Sequence, residues 1–351
     1  MSVSTDVLNT TQAELIDPDI MAFQQRLPFF AELEKRGQVS TERGTQQEWS
    51  VPYGAPGRII GIFSGDETAP TDRATRINKF ALAPHMLGGV IFIPKLETLI
   101  NEGKRGAYKL YEKYPKATLE MLPIALERYV VGGVSGNTDL VSTADLSGFG
   151  CLNGQFTSGA VTGVTNGFLD FTAPASQSDT VLNVAKSLTQ YHYNQYQLSN
   201  NSAELEDKLT LGLREAARYD NKGGGKGPQV LMLDPDSFTK YKSVKKDRVR
   251  VQVVSNNIDK QVFDDVCLNA MVKENHFINL ADFTGDAAEG VGYGLNYSYI
   301  KLEWYAKPSM TKFEEGAIAN QFGFVARFES MFRWGPTYLP AHVAFAGTAR
   351  A

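Results

Sequence analysis

The stretch Gln229-Val230-Leu231-Met232-Leu233-Asp234-Pro235-Asp236-Ser237-Phe238 decides the class of the fold. Its first half is a short apolar run of the length and composition of a buried strand. Asp234 then offers an acceptor for the free amides that open a helix, and Pro235 carries the fixed φ that suits the first helical position. A short helix carrying Phe238 and Tyr241 is the predicted continuation. Strand and helix in direct succession point to a compact α/β region, read as running from Ser135 to about Asn296.

Just upstream, Gly223-Gly224-Gly225-Lys226-Gly227-Pro228 invites comparison with a phosphate-binding loop. That motif needs a preceding strand and a Gly-Lys-Ser/Thr sequence opening a helix. Here Lys226 is followed by Gly-Pro and the strand comes after, so the run reads as a flexible helix-to-strand connection. Leu205, Leu209 and Leu213 mark the helix before it, and Asn201 and Glu204 have the spacing of a capping box at its start. Farther back, Val181, Ala185, Leu188 and Tyr191 predict a second amphipathic helix. A Gly/Thr/Ser-rich passage over 147–167 leads into the strand-like Phe168–Phe171.

The flanks read differently. Residues Met1–Ile20 hold Asp6, Glu14, Asp17 and Asp19 but no Lys or Arg, and they contain too little apolar surface to offset their ordering entropy. They read as an extended arm, with Met21, Phe23, Leu27, Phe29 and Phe30 as a docking patch behind it. From Val39 to Leu82 the text predicts two extended strands joined by a long tip. Trp49, Val51 and Tyr53 alternate with Glu48, Ser50 and Pro52, and Pro52 suits an edge strand or ribbon. The return strand carries Arg73, Arg76 and Lys79. An isolated two-stranded ribbon is marginal in water, so it must lie on another surface. Val90–Ile93 is a strand candidate. A helix is expected from about Gly106 to Val131, with Pro115 and Pro123 as interruptions and Gly132-Gly133 as its stop. Near the C-terminal end, Ile300, Leu302 and Trp304 alternate with Lys301 and Glu303. Phe322, Phe324, Phe328 and Phe332 share one parity, opposite Val325, Arg327, Glu329 and Arg333.

Bulk properties narrow the function. The 351 residues can bury a core without metal or disulfide staples. Lys and Arg number 35 against 39 Asp and Glu, a net charge of -4, which disfavours a dedicated nucleic-acid binder. No window reaches the ~18 apolar residues of a membrane span, and no secretory leader is read at the start. Cys151 and Cys267 read as free thiols of a reducing cytosol.

No catalytic constellation emerges. His85, His192, His276 and His342 lack metal-ligand spacing, there is no GxSxG elbow, and Cys151 with His192 is no more than a formal nucleophile pair. Catalytic, cofactor and metal sites are therefore read as none. The densest charge run is Lys240, Lys242, Lys245, Lys246, Asp247, Arg248 and Arg250. It reads either as a patch facing DNA, with Lys245, Lys246, Arg248 and Arg250 as contacts, or as a solvated surface that pairs with an acidic neighbour.

The order of segments resembles the major capsid proteins of tailed bacteriophages, which share the Hong Kong 97-type fold. Lys35-Arg36-Gly37 leading to Glu48-Trp49-Ser50-Val51-Pro52-Tyr53 is similar to the start of that family's extended loop. Ala125-Leu126-Glu127-Arg128-Tyr129-Val130-Val131-Gly132-Gly133 resembles the end of its spine helix. Val230 to Phe238 resembles its axial-domain strand and helix, and Gly294-Leu295-Asn296 before Ile300-Lys301-Leu302 resembles the return to its peripheral domain. Pro115 and Pro123 depart from a continuous spine helix.

The resemblance implies an α+β, Hong Kong 97-like capsid fold. Its parts would be an N-terminal arm (1–36), an extended loop (37–89), a peripheral domain with spine helix (90–137 and 296–335) and an axial domain (138–295 and 336–351). It implies a non-enzymatic shell protein of the virion, forming hexamers and pentamers around double-stranded DNA. A separate scaffolding protein and a portal would act in assembly, and a decoration protein is left open. Trp49, Tyr53, Arg73, Arg76, Phe29 and Phe30 are the expected inter-subunit contacts. An encapsulin-like cellular shell and a cytosolic α/β enzyme stay as alternatives.

Overall fold

In a computed structural model, the described residues are 27–41, 47–52, 77–82, 85–96, 193–220, 224–248, 266–278, 285–310, 314–318 and 321–350, with isolated positions between them. Contacts divide the chain into two compact units. One comprises Met1–Thr45, Pro84–Arg128 and Leu302–Trp334, and the other comprises Gln46–Ala83, Tyr129–Lys301 and Gly335–Ala351.

The first unit is built on a mixed five-stranded sheet. Its strands are β1 (Val39–Thr41), β4 (His85–Pro94), β12 (Ile300–Met310), β13 (Glu314–Ile318) and β14 (Gln321–Pro336), in the order β1-β12-β14-β13, with β4 also pairing β14. β1 runs parallel to β12, whereas β4 and β13 run antiparallel to β14. The period-2 pattern of β14 places Ala326, Phe328, Ser330, Phe332 and Trp334 on one face, all buried. Ile91 and Ile93 of β4 join that core, and the strand extends beyond Val90–Ile93 because β14 offers a ten-residue ladder. Helix α1 (Pro28–Lys35) adds Phe29, Phe30 and Leu33, with the Phe29 ring edge-on to Trp334 at 5.4 Å. Leu27, at its N-cap, has no side-chain acceptor to give. Glu127 supplies it instead, its Oε1 accepting the Phe29 N–H at 3.0 Å.

Lys301 and Glu303 share the outward parity expected of β12, yet Glu303 is fully buried, as is Arg333 of β14. The two form a salt bridge through the guanidinium Nε and Nη2, and Arg333 also lies 5.1 Å from the ring of Tyr305. The opposite parity of these two strands is therefore not a solvent face at Glu303 and Arg333. The second face of the sheet is covered at that end, and a charge there persists only because it is paired.

The second unit centres on a six-stranded mixed sheet in the order β7-β15-β11-β8-β10-β9. These strands are β7 (Gln195–Leu198), β8 (Val230–Leu233), β9 (Val266–Cys267), β10 (Ala270–Glu274), β11 (Val291–Leu295) and β15 (Val343–Ala346). Helices α2 (Leu205–Ala217) and α3 (Pro235–Arg248) contribute to one core with Leu209, Leu213, Leu231, Leu233, Tyr241, Val272, Val343 and Phe345. Gly212 permits the close approach of α2, since a Cβ there would meet the Phe345 ring at 2.6 Å.

The local signals around this sheet are realised chemically. Asn201 Oδ1 accepts the Glu204 N–H at 3.1 Å while its amide donates to Glu204 Oε1, closing the turn before α2. Asp234 caps α3, its Oδ1 accepting from the Asp236 and Ser237 amides at 3.0 and 3.1 Å. Its Oδ2 accepts the Val291 N–H at 2.8 Å and the Ser237 hydroxyl, tying the cap to the next strand. The glycine run joins α2 to β8 through Gly224, Gly225 and Gly227 at positive φ, with Asp220 accepting from Gly225 and Gly227.

Two further elements complete the description. β2 (Gln47–Pro52) pairs antiparallel with β3 (Ile77–Leu82), Trp49 opposite Phe80. The ribbon is thus narrower than Val39–Leu82, because Val39–Thr41 belongs to the five-stranded sheet. β5 (Thr180–Val181) and β6 (Val184–Ala185) form a small antiparallel pair, which corrects the expected helix at Val181 and Ala185. Thr180, Val181 and Val184 are β-branched, and that stiffness at χ1 favours the extended state. Of the expected spine helix only Glu127, Val130 and Val131 lie among the described residues, and all three are helical. The arm Met1–Ile20, the loop tip, Pro115 and Pro123 lie outside them.

Candidate assembly surface

The surface of the second unit differs between the two flanks of its sheet. At one edge, β9 and β10 are joined by the two-residue turn Leu268-Asn269, with Cys267 opposite Ala270. Leu268 has φ 57, a left-handed conformation rare for a bulky side chain. The residue is 42% exposed, and Met271 and Leu211 are 41% and 43% exposed. The thiol of Cys267 is buried and free, and burial raises its pKa despite a hydrogen bond with Thr210. α3 runs along this flank. Lys242 Nζ lies 4.2 Å from the Phe238 ring centre and Lys245 Nζ lies 5.4 Å from that of Tyr241.

The opposite flank is acidic. A 3-10 turn, Gly285–Glu289, presents Asp286 and Glu289 with side chains 49% and 53% exposed. Arg350 bridges both carboxylates, and the amides of Gly347 and Ala349 donate to the Asp286 and Glu289 carbonyls at 3.0 and 2.8 Å. Those carboxylates raise the Arg350 pKa, keeping it charged. Tyr196 of β7 is raised by burial first and by Asp286 second, which places this turn beside the β7 edge.

Between the flanks lies a buried polar knot. Gln229 Nε2 donates to Asn296 Oδ1 and Ser298 Oγ, each at 3.0 Å, and Gln229 Oε1 accepts the Tyr297 N–H at 3.0 Å. His342 is fully buried and its Nδ1 accepts the Asn296 N–H at 3.2 Å. Burial pushes the imidazole down to about 3, so it is neutral and free to accept. These groups hold the sheet to the turn at Tyr297–Tyr299. Among the described residues, no group of three or more His, Cys, Asp or Glu is placed to hold a metal ion. No helix among them is long and apolar enough to cross a membrane.

No family model and no curated protein matches the sequence. Solved structures do match. A chain of the cyanophage A-1(L) capsid asymmetric unit superposes with a TM-score of 0.52 at 11% identity, covering 89% of this chain and 91% of that one. The chain carries a phage capsid fold. A Microbacterium phage Oxtober96 chain gives 0.51 at 10% identity over 88% of each chain. A chain from the capsid of a native GTA particle gives 0.50 at 8% identity, covering 90% of this chain and 89% of that one.

Within the capsid fold the expected contact residues are scattered. Phe29 and Phe30 are buried in the core of the first unit, so little of either ring is at its surface. Trp49 sits in the β2–β3 ribbon, placed by its backbone pairing alone. Tyr53, Arg73, Arg76 and Arg250 lie outside the described residues. Lys245 is half-buried on α3, and Lys246 and Arg248 belong to the same helix. The sequence reading did not anticipate the left-handed turn at Leu268, whose only signal was a Leu-Asn pair between two short strand-like runs. It also missed the Glu303–Arg333 pair, which no local pattern marks.

Proposed function

We propose that this chain is the shell-forming major capsid protein of a tailed phage, a structural protein without enzymatic activity. What carries the reading is that capsid chains match it over about nine tenths of their length as well as its own. An accessory likeness, such as a shared sheet on an otherwise different chain, would leave much of one partner uncovered.

In this reading the elements are those of a Hong Kong 97-like subunit. The arm (1–36) and extended loop (37–89) lie across neighbours. The peripheral domain (90–137 and 296–335) holds the spine helix, and the axial domain (138–295 and 336–351) gathers around hexamer and pentamer axes. Trp49, Tyr53, Arg73 and Arg76 are the proposed loop contacts, with Phe29 and Phe30 steadying the base of the arm. A separate scaffolding protein and a portal act in assembly, and double-stranded DNA is enclosed. The near-balanced charge suits a wall that holds DNA with little affinity, because each added phosphate contact adds salt-dependent binding. Heterologous contacts repeated around an axis close into rings and shells, and obligate interfaces commonly bury more than ~2,000 Å².

The test is negative-stain electron microscopy of the protein expressed with its genomic neighbours. Closed shells or capsomers are expected. Uniform monomers of about 39 kDa, with scaffold present, would sink the reading.

A further inference from the structure

The densest charge run of the sequence lies on α3, where Lys242 and Lys245 rest on the Phe238 and Tyr241 rings. A second cationic cluster forms where α2 joins β8. Arg214, Arg218, Lys222 and Lys226 are all exposed there, and among the described residues none of the four forms an ion pair. Backbone contacts gather them. The Arg218 N–H donates to the Arg214 carbonyl at 3.3 Å, which sets the two on one face of α2. The Gly225 N–H donates to the Asp220 carbonyl and the Gly227 N–H to its carboxylate, each at 3.0 Å, so the loop doubles back. A Cβ on Gly227 would meet the Ala217 Cβ at 2.7 Å and the Leu213 carbonyl at 3.2 Å, which puts Lys226 beside the last turn of α2. Lys222 is held by its N–H on the Tyr299 hydroxyl at 2.8 Å, with its ammonium 5.1 Å from that ring.

Neighbouring acids do not cancel this charge. Asp220 is buried on the Gly227 amide, and Glu215 accepts from Gln197 at 2.6 Å. Exposed Asp207 lies seven residues before Arg214, about 10 Å along the helix. The helix dipole explains cations at 214 and 218, but not the two lysines beyond the helix end. Gly224 and Gly225 are exposed at positive φ, and a Cβ on either would meet nothing within 4 Å. Backbone that bare lets a broad surface approach closely. The loop is no nucleotide cradle, because a strand and not a helix N-terminus follows it. Resting on the shell reading above, which supplies duplex DNA as the anion, we infer that the α2–β8 junction is a sequence-independent contact for the phosphate backbone of double-stranded DNA.

Fluorescence anisotropy of unassembled protein with a dye-labelled duplex of about 30 base pairs tests it between 50 and 200 mM salt. Four phosphate contacts should weaken binding roughly a hundredfold across that range, whereas Arg214→Gln, Arg218→Gln and Lys226→Gln together should leave a loss of about threefold. The triple variant should bind at least tenfold more weakly at 50 mM salt and melt within about 4 °C of the wild type. Lys226→Gln alone should flatten the salt slope by about one. Lys35→Gln, Lys240→Gln and Lys242→Gln remove the same charge elsewhere and should weaken binding less than threefold. A triple variant that binds like the wild type, a control that falls as far, or capture of poly-glutamate but not of duplex overturns the inference. Closed shells by electron microscopy alongside any of these leave the shell reading standing. Wild-type protein that binds DNA with the expected slope but forms no shell keeps the contact and removes the shell reading.

Discussion

His342 makes the stability of the second unit depend on acidity in a calculable way. Its imidazole is fully buried, accepts the Asn296 amide on Nδ1 and is held down to about 3 by burial, against 6.5 in an unfolded chain. Below 6.5 the unfolded chain takes up a proton that the folded chain refuses, so protons favour unfolding and stability falls as pH falls. The loss begins near pH 6.5 and is complete near pH 3. The interval of about 3.5 pH units, at ~1.4 kcal/mol per unit, sets a ceiling of roughly 5 kcal/mol. By pH 4.5 the loss is about 3 kcal/mol, a large part of a typical domain's stability. Carboxylates also titrate in this range, so a variant is needed to isolate the histidine. His342→Asn keeps an acceptor where Nδ1 sits and removes the titration. It also loses ring volume, which costs about 1–3 kcal/mol at every pH and cancels when slopes are compared. Urea unfolding of unassembled protein at pH 7.0, 6.0, 5.0 and 4.5 reads both slopes. The wild type should lose about 2–3 kcal/mol more than His342→Asn between pH 7.0 and 4.5. Parallel curves, or a His342 resonance titrating near 6.5 in the folded protein, would refute the reasoning.

Other groups give shorter tests. Arg333→Met leaves Glu303 buried without its cation and should cost about 3–5 kcal/mol in thermal unfolding, whereas Glu303→Leu with Arg333→Met should recover most of that loss. If the double variant is no more stable than the single one, the pair matters for something other than charge compensation. Asp234→Ala removes the cap of α3 and strands the buried Val291 amide, a combined cost of about 2–4 kcal/mol by urea midpoint. The same loss from Asp236→Ala would show that the capping geometry is misassigned. The Cys267 thiol, buried and raised, should react with a disulfide reagent at pH 8 at least a hundredfold more slowly in folded than in urea-unfolded protein. Equal rates would mean that the β9 edge opens readily.

What could be read from the sequence was chemistry closed within a few residues. Asp234-Pro235 announced α3 because a cap acts on amides two and three positions away, and Asn201 with Glu204 announced α2 for the same reason. The alternation of the even positions of β14 was legible because one buried face imposes a period of two. Val181 and Ala185 misled because a two-residue strand has no period, and i, i+4 spacing arises there by chance. Glu303 and Arg333 are thirty residues apart and each occupies an outward parity, so only the pairing of β12 and β14 could reveal that the outer face is covered. His342 is illegible in the same way, its acceptor role being set by an amide 46 positions away.

Exposed features of the second unit were hidden for a different reason. A side chain left exposed on a turn follows no period, so neither alternation nor internal packing records it. It shows only as a local rule broken without local compensation. In Leu268 the broken rule is conformational: it adopts φ 57 and is 42% exposed. Phe29 illustrates the converse. It is an aromatic beside an acidic segment, and its ring against Trp334 and its amide on Glu127 tie it into the first unit.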